Sequence, residues 1–204
     1  MKDIYIYIHV CCLGDWKTVF SNILSYIKKS GLYNVVKEIR CGILGDFDEN
    51  FFKDEKIKIV YNHYDTSLYE VSTINKILKD SQTEDFLILY LHTKGVTKTN
   101  NQNVMDWVNY MLYFNIYKYK DCINLLKNHD CVGVNLQQGP EIHYSGNFWW
   151  SKSTYIRKLD KCPNDYSAPE KWLTKDEIGK FVCLWASNIN HYTTEYPESK
   201  YRHI

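Results

Sequence analysis

Apolar residues alternate and then run together from Ile4 to Cys11, a period-two pattern that predicts a first strand. The period then changes. Trp16, Val19, Phe20, Ile23, Leu24 and Ile27 recur at helical spacing and predict an amphipathic helix over 15–30, with Lys28 and Lys29 facing the negative end of its dipole and Gly31 ending it. Val36–Leu44 and Lys56–Tyr61 read as the second and third strands. Ser67-Leu68-Tyr69-Glu70 has capping-box spacing, so a second helix is expected to begin at Ser67, with Leu68, Val71, Ile74 and Leu78 behind it and Glu70 as the capping carboxylate. Phe86–Leu91 is an unbroken apolar run of strand length that stops at His92-Thr93-Lys94-Gly95, as expected for a parallel strand buried on both faces.

In the second half, Thr97–Asn103 is polar and reads as a loop. Val104, Trp107, Val108, Met111 and Leu112 mark one helix face, and Asp121–Asn128 continues as another helix. Cys131–Asn135 and Gly146–Trp150 read as strands, and Ser153–Leu159 as a short helix. Thr174-Lys175-Asp176-Glu177 repeats the capping-box pattern, with Ile178, Phe181, Val182 and Trp185 as the stripe of a last helix. Beyond Ser187 the chain is polar and aromatic without a period. Alternating strands and helices predict an α/β fold with a mostly parallel sheet covered on both faces. No repeat, linker or low-complexity segment breaks the chain, so a single domain over 1–204 is expected.

Composition narrows the function classes. With 204 residues and 45% hydrophobic content, the chain is long and apolar enough for a real core. A net charge of +1 leaves no electrostatic footprint for nucleic acid. No apolar run approaches the roughly 20 residues of a membrane span, and Met1–Ile8 reads as strand rather than signal peptide. Seven cysteines, none in a Cys-x-x-Cys pair, fit free thiols in a reducing, cytoplasmic compartment and argue against a zinc site. The 18 tyrosines suit either a bulky core or a surface that stacks on sugars or bases.

In open α/β sheets, ligands sit outside the carboxyl ends of the strands. His92-Thr93-Lys94-Gly95 falls there. Lys94 is a point charge suited to a diphosphate, Thr93 a hydrogen-bond donor, and Gly95 a place where backbone can approach closely; an ordinary strand-to-loop turn is the plain alternative. In His143–Trp150, the small polar residues Ser145, Gly146 and Asn147 are suited to line a sugar pocket, with Trp149 or Trp150 stacking on the ring; the alternative is a turn entering a core strand. Asp106 stands in the first turn of its helix, where the dipole favours a negative charge in any case. Glu170 lies outside any clear helix, between Pro169 and Trp172, where apolar neighbours raise a carboxylate toward the range of a general base. His191 is a tail residue with the chemistry to reach a phosphate or metal. Asp46-Phe47-Asp48 has the form of a metal-holding pair but follows the second strand in an acid- and amide-rich stretch, and reads as a solvated loop.

These pieces occur in a familiar order: Tyr69-Glu70, Tyr90–Val96, Asp106-Trp107 with Met111 and Phe114, Val132–Asn135, His143–Trp150 and Glu170–Trp172. Together they resemble a glycosyltransferase family found in large DNA viruses, algae and bacteria, over roughly residues 60–175. The resemblance implies a single-domain glycosyltransferase A-type, Rossmann-like fold. Its mostly parallel mixed sheet would be flanked by helices, with a nucleotide-binding half over about 1–100 and an acceptor half over about 101–204. It implies that His9, Val10 and Cys11, with Asn62, Tyr64 and Asp65, hold the nucleoside. His92, Thr93, Lys94 and Gly95 would meet the diphosphate, Ser145, Gly146 and Asn147 the donor sugar, and Trp149, Trp150 and Asp106 the acceptor. The family fold normally carries an Asp-x-Asp pair after the fourth strand. Here His92-Thr93-Lys94 stands in its place, so no metal ligand is assigned and a Mn or Mg cofactor stays open.

The implied reaction moves a sugar from a UDP- or GDP-sugar to a hydroxyl of a glycan or glycoprotein. Lys94 would stabilise the leaving diphosphate and Glu170 would be the base of an inverting transfer; retention follows if no carboxylate reaches the acceptor. A viral member would work in the host cytoplasm. Two other classes stand beside this one. One is a non-catalytic nucleotide-sugar or carbohydrate-binding module. The other is a different α/β nucleotide-dependent transferase, against which the missing Walker and Gly-x-Gly-x-x-Gly loops count.

Overall fold

Along β1 (Asp3–Cys11), Ile4, Ile6, Ile8 and Val10 point to one apolar cluster while Tyr5 and Tyr7 join another. Both sets are buried, because helices cover both faces of the sheet. The computed structural model describes residues 2–203, so Met1 and Ile204, the ends of the expected 1–204 domain, lie outside the described residues. The elements that follow are α1 (Trp16–Lys29), α2 (Leu32–Val35), β2 (Glu38–Leu44), β3 (Ile57–His63), α3 (Val71–Ser81) and β4 (Phe86–His92). Then come α4 (Gln102–Leu112), α5 (Tyr119–Leu125), β5 (Cys131–Val134), β6 (Leu136–Gln137), β7 (His143–Tyr144), β8 (Trp149–Lys152), α6 (Ser153–Ile156), α7 (Ala168–Trp172) and β9 (Phe181–Trp185).

Seven strands form one sheet in the order β3-β2-β1-β4-β8-β5-β9. β1 to β4 are mutually parallel, β8 runs antiparallel to β4 and β5, and β9 is parallel to β5. β6 and β7 make a separate small hairpin. α1, α4 and α5 pack on the face carrying Ile6 and Leu89, and α3, α6 and α7 on the face carrying Tyr7 and Tyr90. The fold is thus the expected α/β one: a Rossmann-like, mostly parallel mixed sheet flanked by helices. The four parallel strands deliver their carboxyl ends, Cys11, Leu44, His63 and His92, to one rim.

Both capping-box expectations fail, for different reasons. α3 begins at Val71, not Ser67. Asp65 accepts hydrogen bonds from the Ser67 backbone N–H (2.9 Å) and hydroxyl (2.7 Å), so a short 3-10 turn occupies 66–68, and Tyr69 then takes φ +48°. That kink turns Glu70 away from a capping role. At Thr174–Glu177 no helix forms: the Thr174 hydroxyl donates to the Ile142 carbonyl and Glu177 takes φ +51°. Phe181–Trp185, aromatic and β-branched, pairs with β5 instead. The strand expected from Gly146 starts only at Trp149, because Gly146 and Asn147 both have positive φ. Periodicity missed α2, the π-turn at Tyr113–Tyr117 and α7. All seven cysteines are free thiols, with Cys41, Cys122, Cys131 and Cys162 buried. Among the described residues no helix is long and apolar enough to cross a membrane.

One close approach ties the two halves of the rim together. Gly42 in β2 leaves room for Thr73 of α3, whose hydroxyl would lie 2.2 Å from a Cβ added at Gly42. Thr73 in turn hydrogen-bonds His9 Nδ1 of β1 at 2.9 Å. Gly42→Ala is therefore expected to lower unfolding stability by about 1–3 kcal/mol, read by urea denaturation. An unchanged midpoint would contradict this packing.

Candidate functional site

Beyond the carboxyl end of β4 lies a cavity of about 350 Å³, walled by the 92–98 segment, Trp107, Gly146-Asn147, Glu170 and the rings of Tyr166 and Tyr192. The β1–β4 pairing extends one step past the strand end: Thr93 N–H donates to His9 O (2.9 Å), and the Thr93 hydroxyl accepts from Cys11 N–H (2.9 Å). The chain then turns sharply, with Lys94 N–H on His92 O (2.8 Å) and Gly95 at φ +79°. This throws the Lys94 ammonium over the Trp107 ring, 4.2 Å from its centroid. No carboxylate of the described residues comes within ion-pairing distance of it. Burial lowers the Lys94 pKa, while Glu170 and Glu70 nearby pull it back up.

Glu70 organises the floor. Its Oε2 accepts from Tyr90 Oη (2.6 Å) and Asn147 Nδ2 (2.7 Å), and its Oε1 lies 3.5 Å from His92 Nδ1. Burial alone would raise this carboxyl, but His92, His9, the Tyr90 hydroxyl and Lys94 hold it below the usual range. His92 Nε2 faces the Gly146 carbonyl at 3.0 Å, so that nitrogen carries a proton and donates. Burial pushes His92 below the ordinary imidazole range, and Glu70 opposes the shift. The other side of Gly146 is also engaged: its N–H donates to Glu170 Oε1 at 2.8 Å. Gly146 sits at φ +91°, and a Cβ there would meet Met111 Sδ at 2.4 Å, so only glycine fits between the two acids.

The cavity gathers His92, Thr93, Lys94, Gly95, Gly146, Asn147 and Glu170 from the sequence expectations. Glu170 is not outside a helix: it occupies the first turn of α7, behind Pro169. Ser145 lines the neighbouring cleft instead. His9 is buried under the rim with its Nδ1 on Thr73, Val10 is fully buried, and Cys11 is half-buried. Of these three, His9 and Cys11 come near the site, both through charge coupling to Glu70 and Cys11 also through its N–H on the Thr93 hydroxyl. Asn62, Tyr64 and Asp65 lie at the end of β3, outside this cavity; Tyr64 stacks on His63 in solvent, and Asp65 is engaged by Ser67.

Three expected acceptor contacts are corrected. Trp149 and Trp150 are both fully buried, their indole N–H groups donating to Asn147 Oδ1 (2.9 Å) and Asn115 O (2.8 Å), so neither offers a face to a sugar. Asp106 is buried too, accepting from Gln102 (2.6 Å) and from Tyr196 N–H (3.0 Å), which ties down the C-terminal tail. His191 does not line the lysine cavity; it stacks on Trp107, bonds Asn135 and Ser187, and lies in the wall of the neighbouring cleft. Asp48 is an exposed turn residue, as expected, accepting from Asn50 N–H. Glu70 and Trp107 stand among the motifs of the resemblance, but capping-box spacing disguises the one and a helix-face position the other, so neither is assigned a site role; Tyr166 and Tyr192 carry no local signal.

Glu70→Gln keeps two acceptor bonds but removes the charge that supports imidazolium at His92. Its expected effect is a further fall in the His92 pKa, followed by the ring resonances in an NMR titration; an unchanged or raised value would break the link. Acid stability follows from His9, whose burial lowers its pKa from 6.5 to about 4. Between those values the unfolded chain binds more protons than the folded one, so stability rises with pH through that window and is lost on acidification, by up to about 3 kcal/mol. Glu70, with its lowered carboxyl, adds a loss of the same sign at still lower pH. Urea midpoints at neutral and acid pH read the slope, which His9→Gln should flatten.

A family model described as a domain of unknown function, DUF8361, matches residues 45–195. Comparison with curated proteins finds no match. Among solved structures, a 4-diphosphocytidyl-2C-methyl-D-erythritol synthase is similar over 100% of this chain and 97% of its own, at 8% identity and a TM-score of 0.50. A synthase of the same name from Anaerococcus prevotii covers 92% of this chain and 90% of its own, at 12% identity and a TM-score of 0.47. At 8% identity the likeness to the first is one of fold alone. The family match runs from the turn after β2 to the tail beyond β9 and encloses Glu70, Lys94, Gly146 and Glu170; the chain belongs to the DUF8361 family.

Proposed function

We propose that this protein is a nucleotide-dependent transferase that moves a sugar from a UDP- or GDP-sugar to a hydroxyl of a glycan acceptor. The observation that carries this reading is the Lys94 ammonium. It rests on the Trp107 ring at the sheet's carboxyl rim with no paired carboxylate among the described residues, at a position where burial makes an isolated charge unfavourable. An anionic ligand in the cavity supplies the missing partner. A diphosphate suits the position, because it carries the charge that develops as a glycosyl bond breaks.

Glu170 supplies the second requirement. One oxygen is fixed by Gly146 N–H, and the other has no hydrogen bond among the described residues. In an inverting transfer that oxygen takes the acceptor hydroxyl's proton. The acceptor oxygen bonds to the anomeric carbon, and the carbon–oxygen bond to the diphosphate breaks with its electron pair leaving on the diphosphate, beside Lys94. Glu70 already meets Tyr90, Asn147 and His92, which suits it to positioning rather than proton transfer. The glycosyltransferase A-type fold commonly uses a divalent cation here. Among the described residues there is no cluster of three His, Cys, Asp or Glu side chains; Lys94 is the protein cation that would face the leaving charge, with or without such an ion.

Nucleotidyl transfer is the second reading, favoured by the fold likeness to a synthase named for a diphosphocytidyl product. The two differ in what leaves: a nucleoside diphosphate in glycosyl transfer, pyrophosphate in nucleotidyl transfer. A thermal-shift screen of nucleoside diphosphates, nucleotide sugars and nucleoside triphosphates selects the donor, and chromatography of the products then separates the two readings. Lys94→Ala is expected to reduce donor turnover by about 100-fold or more, and Lys98→Ala to leave it nearly unchanged. Equal, small losses in both would remove Lys94 from the chemistry.

A further inference from the structure

Beside the lysine cavity lies a second, larger cleft of about 650 Å³, between the start of the β6–β7 hairpin and the 186–192 loop that follows β9. The volume is within the range of about 300–1,000 Å³ typical of small-ligand sites. We propose that this cleft binds a neutral carbohydrate, with Tyr192 as its stacking platform.

Its chemistry excludes charged ligands. Gln137, Gln138, Ser145, Ser187, Asn188 and Asn190 line it, and among the described residues no Asp, Glu, Lys or Arg does. The one titratable imidazole in its wall, His191, is neutral: its Nε2 accepts from the Asn135 amide at 3.1 Å, and burial pushes its pKa down to about 4. A phosphate or carboxylate placed here would find no cation, and a metal ion no carboxylate. Side-chain amides and hydroxyls offer donors and acceptors in nearly equal number, which matches the vicinal hydroxyls of a sugar.

Tyr192 adds the apolar half of carbohydrate recognition. It is 67% exposed, yet it is not loose. Its N–H donates to Asn190 Oδ1 (2.9 Å), its carbonyl accepts from Asn103 Nδ2 (3.2 Å), and its ring stands edge-on to Trp107 at 5.2 Å. A fixed, exposed ring with a polar tip presents a flat face to sugar C–H groups at little entropic cost. The cleft floor is equally fixed. Asn135 Oδ1 accepts from Tyr110 Oη (3.1 Å) and Ser187 N–H (2.8 Å), holding the 186–192 loop against the sheet.

Position gives the ligand its role. Trp107 and Tyr192 wall both cavities, so a saccharide lying in the cleft runs toward Lys94 and Glu170. Resting on the transferase reading, this makes the cleft the acceptor subsite. It moves sugar stacking from the buried Trp149 and Trp150 to an exposed tyrosine.

The test uses the full chain without donor, so binding is read independently of turnover. Maltotetraose, cellotetraose, chitotetraose and mannotetraose are compared with trigalacturonate, uridine and cytidine by saturation-transfer NMR and calorimetry. At least one neutral tetrasaccharide is expected to bind at concentrations up to about 10 mM. Tyr192→Ala and Gln138→Ala should each weaken it about fivefold or more. Gln138 is exposed and does not line the lysine cavity, so its variant should keep UDP or GDP binding and melting temperature unchanged. No binding of any neutral tetrasaccharide overturns the proposal. So does binding indifferent to both substitutions, or tighter binding of a nucleoside or of trigalacturonate. A chain that binds the sugar in the cleft but never releases a nucleoside diphosphate keeps this site and loses the transferase reading.

Discussion

A carboxylate withdrawn from water must be surrounded by donors or lose its charge, and Glu70 has the donors. Tyr90 from β4, Asn147 from the turn before β8 and His92 at the end of β4 converge on its two oxygens. These groups come from parts of the chain separated by up to 77 residues, so the carboxylate is where the sheet rim, the start of α3 and the 145–147 turn are pinned together. Removing it would leave a buried tyrosine hydroxyl and a buried amide without an acceptor, and an imidazole without its counter-charge.

The same pin sets the division of labour between the acids. Gly146 donates through its N–H to Glu170 and accepts through its carbonyl from His92, which faces Glu70. The two carboxylates are thus connected through a single residue that cannot carry a side chain, since Met111 fills the space a Cβ would need. Glu70 has both oxygens engaged, whereas Glu170 keeps one without a hydrogen bond among the described residues. One acid is held at both oxygens and the other at one, a separation that environment alone achieves with identical functional groups.

What was legible in the chain followed from local period. β1, β4 and α1 each carry a repeat that no tertiary contact overrides, and the strand-end location of Lys94 follows from β4 alone. The site's organising residue was hidden because Ser67-Leu68-Tyr69-Glu70 satisfies capping-box spacing. Asp65, two residues upstream of Ser67, competes for the Ser67 N–H, and the outcome depends on a kink at Tyr69. Thr174–Glu177 misled in the same way: a valid local signal lost to strand pairing between β9 and β5, a non-local contact no spacing encodes. The pattern predicts one of Trp149 and Trp150 on a sugar and the other in the core, because a strand's two faces cannot be told apart as buried or open from sequence when helices cover both.

Trp107 joins the charged and neutral halves of the rim. The Lys94 ammonium lies 4.2 Å from its ring centroid, and the His191 imidazole stacks parallel to it at 5.4 Å. One indole's quadrupole favours a cation against its face, and a second cation against the same ring would repel the first. Burial lowers the His191 pKa against the opposing pull of Asp106, and the neutral ring's Nε2 accepts the Asn135 bond that helps to order the cleft. A single aromatic side chain, one of five apolar positions on a helix face, thus separates a cavity built around a positive charge from a cleft built of amides and hydroxyls. Under the proposed reading, that wall would stand between an anionic donor and an uncharged acceptor.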